Sequence, residues 1–186
     1  VTLGTTTRSA LLLDPRSADR LGAAALRRGT ATQVYLQLTP GESVVLRALA
    51  SEPTPGDSWP YAEAVGAADP VEGPWRLAFV EGGPALPAPS DLRALASWTT
   101  LADAEAQRFA GTGRYTVRLE RPGADASDWL LDLGRVAETA RVTLNGLRLG
   151  TLFCRPFQLR LGDALRPGTN TLEIEVTNLA ANRVRD

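Results

Sequence analysis

The chain has 186 residues, 44% hydrophobic and 22% charged, with a formal net charge of −1. A chain of this length buries roughly 70% of its unfolded surface, so it can hold together without disulfide or metal, and its balanced charge offers no basic field to nucleic acid or an anionic membrane. All 20 cationic residues are Arg and there is no His, which removes the usual general base, the Ser–His and Cys–His nucleophile pairs and every His-based metal site.

From the N-terminus, Ala10 to Leu13 reads as a short apolar strand stopped by Asp14-Pro15. Ser17 to Arg28 fits either an Ala-rich helix capped by Ser17 or the return arm of a hairpin turning at Asp14 to Ser17. Gly22 weakens the helix and favours the hairpin. Val34, Leu36 and Leu38 mark a strand, Pro40-Gly41 a turn, and Val44, Leu46 and Leu49 a second strand. Residues 1–50 therefore read as a β-rich segment with a small hairpin, either the tail of a preceding domain or extra strands. Residues 51–71 hold Pro53, Pro55, Gly56, Pro60, Gly66 and Pro70 without any period and read as a linker.

Strict alternation dominates residues 72–186. Trp75, Leu77 and Phe79 open it, and Ser97 to Leu101 is expected to add a strand, followed by one helical turn at Ala102 to Gln107. Tyr115, Val117 and Leu119 alternate with Arg114, Thr116 and Arg118. Trp129, Leu131 and Leu133 alternate with Leu130 and Asp132, a strand expected to be covered on both faces. Val142 and Leu144 lead into Asn145-Gly146, the pair that suits a two-residue type I′ hairpin. Leu147 to Phe153 returns, Phe157, Leu159 and Leu161 follow, and Pro167-Gly168 turns into Leu172, Ile174 and Val176. Sheets with one apolar face each pack into a sandwich. The fold class is thus all-β, a jelly-roll β-sandwich of eight strands preceded by the hairpin region.

Chemistry is sparse. Glu173 and Glu175 share the polar face of one strand, and Asp125 and Asp128 share a turn where Asp bonds local backbone; neither pair reads as a glycosidase acid pair. The Asp125–Asp128 turn has the oxygen ligands a structural calcium takes, in numbers too small to define a site. No cofactor is required by any motif. Cys154, the single cysteine, lies between Phe153 and Phe157 and is expected to be a buried, inert thiol. Trp75 and Trp129 fall on core positions, whereas Trp98 fits core or surface. Trp59 and Tyr61, in the Pro-rich stretch, either plug a core edge or face a partner. The apolar runs are far too short to span a bilayer.

Several stretches together carry a resemblance: Phe109-Ala-Gly-Thr-Gly-Arg-Tyr115, Trp129-Leu-Leu-Asp-Leu-Gly-Arg-Val136, Val142-Thr-Leu-Asn-Gly146, Arg155-Pro-Phe157 and Leu165 to Asn178 with its Pro167-Gly-Thr-Asn170 turn. In that order they resemble the sugar-binding, galactose-binding-like jelly roll of family 2 glycoside hydrolases. The trailing Asn178-Leu-Ala-Ala-Asn182-Arg183 is similar to the version in bacterial family 106 α-L-rhamnosidases. The resemblance implies a secreted or periplasmic, non-catalytic accessory module, with catalytic acids on a separate domain of the parent enzyme. Its partners would be that catalytic domain and a rhamnose- or galactose-containing polysaccharide. The candidate sugar contacts are Trp59, Tyr61, Trp98, Arg155, Asn182 and Arg183. The alternative is a sandwich that buttresses the catalytic domain and binds no sugar.

Overall fold

The computed structural model describes residues 1–17, 20–51, 56–123 and 126–184, and all of these but the side chain of Asn182. The chain divides into two compact units, Val1–Val65 and Gly66–Asp186. Both are built of antiparallel strands, as the alternation requires, and the second has the all-β sandwich class expected of it. No helix among the described residues is long and apolar enough to cross a membrane.

The first unit holds two three-stranded sheets. In one, β1 (Thr2–Leu3), β5 (Thr32–Val34) and β4 (Leu26–Arg28) lie in that order; in the other, β3 (Leu21–Ala23), β2 (Ser9–Leu13) and β6 (Val45–Leu49) do. The ambiguous stretch after Ser17 is the hairpin arm rather than a helix, with Leu13 opposite Leu21. Its turn is organised by the buried Asp14 carboxylate, which accepts from Arg16 N at 2.9 Å, from Arg16 Nε and Nη2 at 3.1 Å each, and from Arg20 Nη1 at 3.2 Å. Burial alone would raise this carboxyl, but the Arg16 hydrogen bonds and the Arg16 and Arg20 charges together hold it below the usual range.

Ala10, Leu12, Val34 and Trp59 form the core of this unit. Trp59 reaches it because Gly22 has no side chain: a Cβ there would sit 2.6 Å from the Trp59 backbone. Hydrogen bonds from Ala23 N to Asp57 O (2.9 Å) and from Trp59 N to Ala23 O (2.8 Å) lay residues 57–59 alongside β3. The strand expected over Val34 to Leu38 ends at Val34. Beyond it, Gln37 exchanges two 2.9 Å bonds with the Ala62 backbone, so a side chain replaces the ladder there.

In the second unit a six-stranded sheet runs β12 (Leu147–Leu152), β11 (Thr139–Leu144), β14 (Thr169–Thr177), β9 (Ala110–Glu120), β7 (Trp75–Gly83), β8 (Ser90–Leu92). A second sheet pairs β10 (Leu130–Asp132) with β13 (Gln158–Arg160). Between them lie Trp75, Leu77, Phe79, Tyr115, Val117, Leu131, Val142, Leu144, Leu172 and Ile174. The Asn145-Gly146 turn has φ of 53° and 80° and joins Leu144 directly to Leu147, the two-residue geometry the pair favours. A single helical turn, α1 (Ala104–Gln107), precedes β9, and a second, α2 (Ala181–Val184), follows β14.

Three expectations are corrected. Ser97 to Leu101 is not a strand but one 3-10 turn over Trp98–Thr100: the Ser97 hydroxyl accepts from Thr99 N at 3.3 Å, and its carbonyl from Thr100. The turn drives Trp98 inward, stacked on Tyr115 at 6.2 Å and edge-on to Phe79 and Phe109, over the space that Gly113 leaves. Leu130 is 59% exposed rather than covered, since β10 packs on the core through Leu131 alone of its three residues. Cys154 is exposed rather than buried. Alternation ends with β12 at Leu152, and residues 154–156 form a bend outside the sheet, carrying Phe153 out with the thiol while Phe157 turns back inside.

Candidate functional surfaces

The polar face of the six-stranded sheet holds a shallow groove of about 550 Å³. Register places Thr151, Arg141, Glu175 and Arg114 in one row across β12, β11, β14 and β9. Glu175 accepts from Arg114 Nη2 at 2.6 Å and Nε at 3.0 Å, and from Arg141 Nη1 at 2.9 Å. The Arg114 hydrogen bonds, aided by Arg141 and opposed by partial burial, hold its carboxyl below the usual range. An ionised carboxylate whose two oxygens are both bonded to guanidinium groups is neither a proton donor nor a ready nucleophile near neutral pH.

A smaller hollow of about 220 Å³ lies at the Asp128 turn. Asp128 Oδ1 accepts from the backbone of Trp129 (2.7 Å) and Gly162 (2.9 Å), and Oδ2 from Arg160 (3.0 Å). The side chain therefore ties the turn before β10 to the end of β13. Its companion Asp125 lies outside the described residues, and among those described no three His, Cys, Asp or Glu come together as metal ligands.

Asn145, Asn170 and Asn178 of the motif stretches are also spent internally. Asn145 donates to Ala164 O (2.9 Å) and Asn170 Oδ1 (2.7 Å) and accepts from Thr171 N (2.9 Å). Asn170, 1% exposed, also accepts from Arg166 N and donates to Arg166 O and Gly168 O. Asn178 clamps the start of β9 through Gly111 N and Phe109 O, each at 2.9 Å. These residues fix turns and strand ends.

Of the aromatic candidates, Trp59 and Trp98 are core residues of their respective units, 6% and 3% exposed. Arg155 is exposed in the bend after β12. Arg183 lies in α2 with Nη1 3.9 Å from Glu105 of α1, and the Asn182 side chain is outside the described set. Tyr61 is half-buried, its ring 5.1 Å from that of Tyr35 at a 46° tilt. Its hydroxyl donates to Tyr35 O at 3.0 Å and accepts from Ala25 N at 2.9 Å. Tyr35 itself is 55% exposed and shares its face with Gln33 and, one strand over, Arg27. Sequence reasoning passed over Tyr35. The signal was present in the alternation, because Val34 and Leu36 on the core side put Gln33, Tyr35 and Gln37 on the other.

No family model matches the chain. It is similar to a rhamnosidase from Novosphingobium sp. PP1Y, with 30% identity over 98% of this chain and a TM-score of 0.79. It also matches a "Putative beta-glucuronidase" of Formosa agariphila, 39% identical over 93 residues, 48% of this chain. A β-glucuronidase from Ruminococcus gnavus aligns over 58% of this chain and 21% of its own at 19% identity and a TM-score of 0.46. The chain spans 17% of the Novosphingobium rhamnosidase and 8% of the Formosa protein, so in each it corresponds to a part.

Proposed function

We propose that this chain is a non-catalytic accessory module of a rhamnosidase-like glycoside hydrolase that acts outside the cytoplasm on rhamnose-containing polysaccharide. The observation that carries this reading is the fit to the Novosphingobium rhamnosidase, which takes in nearly the whole of this chain and about a sixth of that one. The state of the carboxylates supports it: Glu175 and Asp128 are committed to arginines and backbone, whereas a glycosidase needs two carboxyls about 5 to 9 Å apart, facing each other across an open site. The purified chain, incubated with aryl α-L-rhamnoside and aryl β-glucuronide, is expected to release no phenol. Turnover that disappears in Glu175→Gln or Asp128→Asn would overturn the reading.

A supporting role for the second unit is favoured by its apolar end. Leu152 and Val176 both lie opposite Ala140, so Phe153 and Leu179 leave the sheet at the same end, 58% and 59% exposed. With Trp98, which lies over Gly113 opposite Val176, turned inward and Asn145, Asn170 and Asn178 bonded within the fold, the second unit serves as the buttress. Glycan contact then belongs elsewhere on the module.

A further inference from the structure

We infer that the outer face of the β1–β5–β4 sheet in the first unit is a subsite for one pyranose unit of a glycan, built on Tyr35 with Arg27 and Gln33 beside it and the ring of the core-packed Tyr61 against its edge; this rests on the glycosidase-module reading above. Gln33 lies opposite both Thr2 and Arg27, and Tyr35 follows two residues on, so the side chains of Thr2, Arg27, Gln33 and Tyr35 belong to the face turned away from Val34, which is 2% exposed, while Tyr61 packs on the core. A hydrogen bond from Tyr35 N to Ala25 O at 3.0 Å carries the register one step past β5 and fixes where the ring starts.

The platform is set before any ligand arrives. The Tyr61 hydroxyl is held from both sides, and the reciprocal Gln37–Ala62 pair holds the next residue. With the Tyr61 ring and the Tyr35 backbone so fixed, the pair loses little freedom on binding. Their 46° tilt makes a shallow trough instead of a flat stack. A pyranose presents one face of C–H groups and a rim of hydroxyls. The C–H face suits the electron-rich faces of the tyrosines, and the rim suits an exposed guanidinium and a primary amide, which between them donate and accept. A nucleobase would stack equally well, but its phosphates meet a chain of net charge −1.

The test is calorimetric and NMR titration of the full 186-residue chain with methyl α-L-rhamnopyranoside and with rhamnogalacturonan oligosaccharides. Binding in the millimolar range is expected, with chemical-shift changes at Tyr35, Tyr61, Arg27 and Gln33. Tyr35→Ala should weaken it at least tenfold and Arg27→Ala three- to fivefold, while Tyr35→Phe keeps it; an unchanged melting temperature shows that each variant is folded. Binding that survives Tyr35→Ala would overturn this subsite and leave the accessory-module reading standing. Failure to bind any of these probes would also overturn it, and would point to a face covered by the rest of the parent enzyme. The module reading itself falls only to turnover by the chain, a separate readout.

Discussion

The two units solve the same problem with different means. The second spreads its core under five strands of six to eleven residues, covered by shorter ones, and its polar motif residues act as internal pins. The first has strands of two to five residues around four buried side chains, and depends on a tryptophan held by a single bridge between Ser58 and Ala23. What its short ladders lack it makes up with side chains: Asp14 in the hairpin turn, Gln37 on Ala62, Tyr61 on Ala25. The lesson is that a polar residue is available for recognition only where the backbone has not already claimed it. By that measure the second unit, which carries the recognisable motifs, is the less suited to binding.

The sharpest way to break this comparison is Gly111→Val. A Cβ there would lie 2.1 Å from Glu81 O and 2.7 Å from Phe109, where β9 and β7 pass at two facing glycines. The expected cost is about 4 kcal/mol or more, read as loss of amide-exchange protection across β7, β9 and β14 with β2 and β6 unaffected. Trp59→Ala should do the reverse, costing about 3 to 4 kcal/mol and releasing the amides of β2, β3 and β6 while the six-stranded sheet stays protected. Asn170→Ala leaves three backbone groups and Asn145 Nδ2 short of a partner. It should lower stability in urea by about 2 to 3 kcal/mol, whereas Arg141→Ala on the groove costs under about 1 kcal/mol.

Acid gives the smallest effect. Both Asp14 and Glu175 titrate below their ordinary values of 3.8 and 4.5 in the fold, so the unfolded chain binds their protons first. The stability each adds is complete above its ordinary value and is lost as pH falls through the lower folded one. Asp14→Asn should therefore flatten the acid limb for the first unit's amides only, and Glu175→Gln for the second's only, in exchange measured from pH 5 to pH 3.

Strands declared themselves wherever one face met water, because alternation records that directly: β9, β11 and β14 stand where Tyr115, Val142 and Ile174 put them. The Asn145-Gly146 turn was legible for the same reason, since its chemistry is local. Trp98 was not. Whether a tryptophan outside a period faces in or out depends on a partner far along the chain, here the gap at Gly113. Trp59 likewise depends on Gly22, 37 residues earlier, and nothing within its own Pro-rich stretch records that. Cys154 misled because flanking phenylalanines mark a core only while the strand continues, and this one stops at Leu152. Tyr35 was hidden by its place on a polar face, where an aromatic looks like ordinary surface.

The bend after β12 has a practical corollary. Its thiol stands in solvent and is the one cysteine of the sequence, so dissolved oxygen can couple it to a small-molecule thiol or to the thiol of another copy of the chain, but not to a partner within the chain. Preparations kept without reductant will accumulate a covalent pair running at twice the mass on non-reducing gels, and Cys154→Ser will abolish it. The same group offers a single attachment point for a maleimide dye or spin label.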